Sequence, residues 1–308
     1  MRQQQLADAA CSVSSLGELL RKSESRLDAA GIDQPALESA WLVEHVLKLS
    51  PLMQRINTER GLTPEECEGV QVLVERRANR EPLQYVLGTQ EFCGRDFFVT
   101  PSVLIPRPES VLLVEEAVRR CVQISDATIV DVGTGSGCLA VSVASALPTA
   151  RVLAIDASTD ALVVARNNMA RYGVEARITC LQGDLLDPIG QEGLPNQVEV
   201  ILSNPPYIPD GDVENLQPEV RDFEPRLALA GGRDGMDVHR RLIAQAPAYL
   251  KPGGALLMEV GIGQAAAVCR HAEEGGRFRT YVVLRDQGGI ERVVCFEKKE
   301  ESLSSSSS

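Results

Sequence analysis

No two cysteines of this chain are spaced as C-x-x-C, and its three histidines, His45, His239 and His271, stand alone with no metal-ligand spacing. The eight cysteines, Cys11, Cys67, Cys93, Cys121, Cys138, Cys180, Cys269 and Cys295, lie far apart. They read as reduced, small core residues, not as a disulfide framework, and no metal is expected. Long apolar runs are also missing, and none approaches the length that crosses a bilayer. The stretch from Met1 to Ala10 is polar and has no hydrophobic h-region, so no secretory signal is expected and the expected compartment is cytoplasmic. Positive charge is in deficit, and the net charge is −12. That excludes an affinity built on Lys and Arg against phosphates. It suits a soluble enzyme, or one whose partner offers a basic protein surface.

What is present is ordinary globular composition: 308 residues, 44% hydrophobic and 24% charged. Such a chain forms two domains or one large one. Residues 1–86 are predicted to form an all-helical domain. Leu16, Leu19, Leu20 and Leu27 make one helical stripe, stopped at Gly31. Asp33 and Pro35 open a second helix that carries Leu37, Ala40, Trp41 and Leu47. Thr63-Pro64-Glu65-Glu66 is a capping box with proline at the first helical position, and Val70, Leu73 and Val74 follow on its helix.

Residues 87–105 read as a linker built on a short hairpin, with Phe92, Phe97 and Phe98 around Gly94 and Asp96. Ile105-Pro106-Arg107-Pro108-Glu109 then opens a helix. From there to residue 298 strands and helices alternate. Strands are expected at 128–132, 152–155, 178–181, 198–202 and 255–260, with helices starting near Cys138, Asp160, His239 and Gln264. This alternation predicts an α/β fold with a parallel sheet covered on both faces. Runs at 280–284 and 292–296, joined through Gly288-Gly289, predict an antiparallel closing hairpin at one edge. Residues 299–308 end in serines and are expected to be disordered.

Asp131-Val132-Gly133-Thr134-Gly135-Ser136-Gly137 falls between a strand and a helix. Glycines there let the backbone turn tightly and approach a ligand. Cys138 stands where a dinucleotide fingerprint has its third glycine, so the loop does not fit a pyrophosphate site. The tighter spacing resembles the first motif of class I S-adenosylmethionine-dependent methyltransferases. Asp156, closing the next strand, can accept both hydroxyls of a ribose. Asp184 after the third strand is placed to accept from an adenine amino group, with Leu185 against the ring.

Asn204-Pro205-Pro206-Tyr207 ends the fourth strand. Two prolines stop the ladder, and Asn204 is biased to extended backbone. The Asn204 side-chain oxygen and the Pro205 carbonyl are two acceptors in a stiff frame, and Tyr207 offers a flat face. Such a loop suits a planar amide or aromatic amine.

Together with Arg80-Glu81-Pro82-Leu83-Gln84-Tyr85-Val86-Leu87-Gly88, Phe223-Glu224-Pro225 and Gly288-Gly289-Ile290-Glu291-Arg292-Val293-Val294, these motifs resemble the release-factor glutamine methyltransferases of the HemK/PrmC type. The likeness spans residues 15–297. It implies a class I methyltransferase fold, Rossmann-like with a mostly parallel seven-stranded sheet, behind a helical domain that docks the release factor. It also implies methylation of the glutamine amide in the Gly-Gly-Gln motif of class I peptide chain release factors. From the charge and the lack of long apolar runs no direct contact with nucleic acid or membrane is expected, and the expected state is a monomer. The likeness places S-adenosyl-L-methionine on Gly133, Thr134, Gly135, Ser136, Gly137, Asp156, Asp184, Leu185 and Asn204. The acceptor glutamine falls on Asn204, Pro205, Pro206 and Tyr207. Two departures stand out: Ser110 where threonine is frequent, and Leu185 where some members carry a larger aromatic. Because Asn-Pro-Pro-Tyr is shared with adenine-N6 DNA methyltransferases and with glutamine methyltransferases of ribosomal proteins, those remain the competing readings. A silent scaffold and a dinucleotide oxidoreductase fit less well, given the intact Asn204 and the glycine spacing.

Overall fold

The computed structural model describes residues 15–192 and 197–300. The polar start at Met1 to Ala10 and the serine run 301–308 lie outside the described residues. The chain divides into two compact units, one up to Gly88 together with Pro218–Phe223, the other Thr89–Gln217 continued from Glu224.

The first unit holds helices Leu16–Ala29, Pro35–Leu47, Pro51–Ile56, Pro64–Ala78 and Leu83–Leu87. Three of their starts are written in polar side chains that satisfy orphan backbone donors. Ser15 accepts from the Glu18 N–H and Ser50 from the Met53 N–H. Both capping-box bonds form: Thr63 Oγ1 accepts from the Glu66 N–H at 3.2 Å, and Glu66 accepts from the Thr63 N–H at 3.0 Å. Leu16, Leu19, Leu27, Leu42, Val70 and Val74 fill the core.

The second helix differs from expectation. It buries Ser39, Leu42 and Val43 and leaves Leu37 and Trp41 exposed. Ser39, whose hydroxyl donates to the Leu20 carbonyl at 3.3 Å, turns its small side inward. Pro218–Phe223 joins this unit through Glu219, which accepts from Arg77 Nη1 at 3.0 Å and Arg80 Nη2 at 2.8 Å. Arg77 also donates to Glu38 at 2.6 Å, so its buried guanidinium is paired on two sides.

In the second unit, β1 (Thr89–Phe92) and β2 (Arg95–Phe98) form an antiparallel hairpin. Its Phe92 and Phe97 belong to the core on one face of the large sheet. That sheet contains β3 (Thr128–Val132), β4 (Arg151–Asp156), β5 (Ile178–Gln182), β6 (Val198–Ser203), β7 (Leu250–Glu259), β8 (Phe278–Arg285) and β9 (Glu291–Lys298). The order is β5-β4-β3-β6-β7-β9-β8. β3 to β7 pair in parallel, and β9 runs antiparallel between β7 and β8.

β6 is buried along its whole length, as a strand covered on both faces requires. β7 starts at Leu250, ahead of the expected 255, because Lys251 to Gly254 form a bulge opposite Val198 and Val200 rather than a turn before the strand. The helix after the Pro-Arg-Pro-Glu segment also starts later, with a tight turn at Pro108–Ser110 leading into Val111–Cys121. Strand order reverses at β3 and β6. Their carboxyl ends carry the glycine loop and the Asn-Pro-Pro-Tyr loop side by side, where open α/β sheets bind ligands.

Candidate active site

The glycine loop is shaped by backbone hydrogen bonds, to β4 and within itself. The N–H groups of Gly133 and Thr134 both donate to the Ile155 carbonyl at 2.9 Å, and Gly137 donates back to Thr134 at 2.8 Å. Gly137 has a φ of 80°, and a Cβ there would stand 3.2 Å from that of Ala165. Glycine is therefore required by backbone and by helix packing at once. Asp131, fully buried at the end of β3, accepts from Thr134 Oγ1 at 2.7 Å and the Ala140 N–H at 3.1 Å. Burial pushes its carboxyl up to about 7.

Asp156 closes β4. One oxygen accepts from the Gly135 N–H and the other from the Ser158 N–H, both at 2.9 Å. Burial raises its pKa against these two bonds. A cavity of about 530 Å³ opens in front of it, within the range of small-molecule pockets.

Of the residues the sequence singled out, Gly133, Thr134, Gly135, Ser136, Asp156, Asp184, Leu185, Asn204 and Pro206 line this cavity. Gly137, Pro205 and Tyr207 are not on its wall. Gly137 turns the loop into helix Cys138–Ala146, and Pro205 is buried. Asp184 pairs with Arg241 at 2.5 Å in an exposed contact. Leu185 takes a positive φ of 51° and packs on the second face of the sheet.

Asn204 donates through Nδ2 to Ser110 Oγ at 3.0 Å. Ser110 in turn donates to Glu259 Oε2 at 2.5 Å, and the Tyr207 hydroxyl donates to Glu259 Oε1 at 3.3 Å. Burial and the nearby Glu259 carboxylate raise the Tyr207 phenol. Gln264 holds the Tyr207 carbonyl at 2.9 Å. Gly235, with a φ of 75°, lies so close that a Cβ would overlap the Tyr207 carbonyl oxygen. The loop is thus braced from several distant stretches.

Residues 18–88 match the family model described as PrmC N-terminal domain, and residues 109–217 match the Methyltransferase small domain. A release factor glutamine methyltransferase of Geobacter sulfurreducens is 45% identical over 280 residues, which cover 91% of this chain and 95% of the relative. One from Moorella thermoacetica is 42% identical over 287 residues, 93% of this chain and 98% of its own. The chain belongs to the release factor glutamine methyltransferase family. A crystal structure of a methyltransferase from Pyrococcus furiosus shares the fold, with a TM-score of 0.51 at 18% identity over 68% of this chain and 91% of that one. The helical unit and mostly parallel seven-stranded sheet are the architecture the motifs predicted.

In this family member three supports of the site were missed from sequence. Glu259 sits in a strand read only as apolar, where a buried carboxylate demands partners. Gly235 belongs to the glycine-rich stretch 231–235, itself a sign of close backbone approach. Asn168, on helix Thr159–Arg171, holds Phe98 through both its N–H (2.8 Å) and carbonyl (2.9 Å), and donates to the Ser136 carbonyl at 2.8 Å. No sequence signal marks it. Glu224 accepts from Arg107 at 2.6 Å and from the Ile105 N–H at 3.2 Å, which ties two of the quoted motifs together.

Proposed function

We propose that this protein transfers a methyl group from S-adenosyl-L-methionine to the side-chain amide nitrogen of the glutamine in the Gly-Gly-Gln motif of class I peptide chain release factors. The observation that carries this reading is the Asn204 amide on the cavity wall. Its Nδ2 is committed to Ser110, and among the described residues Oδ1 takes no protein donor. Membership of the family, whose curated relatives bear the name release factor glutamine methyltransferase, supports the substrate.

The cavity suits the cofactor. A Cβ added at Gly133 would find no heavy atom closer than the Asn204 carbonyl at 4.0 Å, so a ligand can lie against that backbone. Gly133 to Gly137, Asp156, Asp184, Leu185 and Asn204 would hold it. When bound, the cofactor supplies a methyl group on an electrophilic sulfonium.

The protein's own task is to present the nucleophile. An amide nitrogen is weak because its lone pair is delocalised. In this reading Asn204 Oδ1 and the Pro205 carbonyl take its two N–H groups, localise that lone pair and fix its direction. Most of the gain is positioning in a near-attack geometry, with water kept out as positive charge spreads. Pro206 brings no competing N–H, and Tyr207 completes the acceptor side. The proton leaves with or after transfer, to the acceptors or to water. The helical unit holds the release factor, and the enzyme works as a cytoplasmic monomer without nucleic acid or membrane. No helix among the described residues is long and apolar enough to cross a membrane.

Labelled S-adenosylmethionine offered with a release factor, with its Gln→Ala motif variant, or with DNA tests the proposal. Label is expected on the unaltered factor alone. Label on DNA, or label persisting on the variant, overturns it.

A further inference from the structure

We propose that Glu259 is a positioning residue, which acts through the Ser110 hydroxyl to hold Asn204 with its oxygen, not its nitrogen, toward the guest amide. This rests on reading the loop as an amide acceptor.

Glu259 is the last residue of β7 and is 2% exposed. Two hydroxyls donate to it, Ser110 on one carboxylate oxygen at 2.5 Å and Tyr207 on the other at 3.3 Å. Its backbone carbonyl meets His239 Nε2 at 2.8 Å, which anchors the strand end from helix Asp237–Gln245. A serine hydroxyl has a single proton to give. Ser110 gives it to Glu259, so toward Asn204 it can only accept. Asn204 must then offer Nδ2, as it does at 3.0 Å, and Oδ1 is left over for the guest.

An ionised carboxylate, which only accepts, therefore sets the polarity of the whole chain. A protonated Glu259 can donate to Ser110 instead. Ser110 then donates to Asn204 Oδ1, and the amide turns over. Its NH₂ would face the NH₂ of a substrate amide, donor against donor, and the acceptor is lost.

The surroundings place this switch in a usable range. Burial is the main force that pushes the carboxyl up to about 7. Glu109, from the segment before helix Val111–Cys121, pushes the same way; the Ser110 and Tyr207 hydroxyls and Arg292 of β9 pull it down. His239 is itself buried, with its pKa lowered by desolvation, and meets the backbones of Glu259 and Gly235, not the Glu259 carboxylate.

The test is kcat against pH for full-length wild type, Ser110→Ala, Ser110→Thr and Glu259→Gln, with a release factor as acceptor and saturating labelled S-adenosylmethionine. Wild-type kcat is expected to fall as pH drops below about 7. Ser110→Ala is expected to lose on the order of 10²-fold at high pH, the scale of a misplaced reacting group, and to lose the acid limb. Ser110→Thr keeps a hydroxyl and restores both rate and limb. Glu259→Gln is slower and pH-flat. An unchanged acid limb in Ser110→Ala, or no restoration by Ser110→Thr while wild type transfers, overturns the positioning role alone. No transfer by wild type to the release factor overturns the acceptor reading and this inference with it.

Discussion

Residues 131–137 are held by Asp131 and by one stretch that follows them, through the Ile155 carbonyl, Asp156 and Asn168. Residues 203–207 are instead braced by Ser110, Gly235, Glu259 and Gln264, drawn from widely separated parts of the chain. One half of the site is local and the other is assembled. The first fails when its own residues or that one following stretch move, whereas the second fails when any of several widely separated supports moves. This suits the tasks proposed for them: the first would need an open backbone surface, the second one amide held at one angle.

The largest break in that comparison is Asn204→Ala. By analogy with single oriented hydrogen-bond groups, transfer should slow by roughly 10²–10³-fold. Cofactor affinity, measured by calorimetry, should change far less. Next come two glycines, one from each half. Gly235→Ala forces the Tyr207 carbonyl away and should slow transfer by about 10²-fold while cofactor binding persists. Gly137→Ala should cost about 1–2 kcal/mol from its left-handed backbone alone, with more from the Ala165 contact, and should weaken cofactor binding. If Gly235→Ala weakened the cofactor and spared transfer, the division into halves would be wrong.

A smaller effect is read in stability against pH. Asp131 titrates near 7 in the folded protein, well above the ordinary range of an unfolded aspartate. The folded state therefore holds the proton that the unfolded chain has released. Asp131's contribution is fully present below the ordinary aspartate range and is lost as pH rises through about 7. Asp131→Asn should flatten the melting temperature between about pH 4 and 7, the window between the unfolded and folded values. Smallest of all is Arg241→Ala. It breaks an exposed pair with Asp184, and such pairs contribute ~0.2–1 kcal/mol. A thermal melt should hardly register it.

The same contrast governs what could be read from the chain. Strand and helix alternation, the glycine spacing and Asp156 were legible because each rests on neighbours in sequence. The helix start at Thr63 was legible for the same reason, whereas the cap at Ser15 was not read. The buried face of helix Pro35–Leu47 was not: Leu42 and Val43 were chosen by the helices they meet, and no local pattern ranks them above Leu37 and Trp41. The strand's earlier start at Leu250 was not legible, because the ladder that carries it past the bulge at Lys251 to Gly254 belongs to β6. Ser110 was noted as a retained hydroxyl, but its use depends on Glu259, 149 positions away. A carboxylate inside an apolar strand was the available clue, since a buried acid needs donors from somewhere.

The central claim is that the acceptor loop presents a glutamine amide nitrogen to the methyl group. Tandem mass spectrometry of a release factor after reaction tests it most directly. A single methyl group on the side-chain nitrogen of the Gly-Gly-Gln glutamine is the predicted result. A methyl group on any other residue of the factor, or an unmodified factor after full incubation, would contradict it.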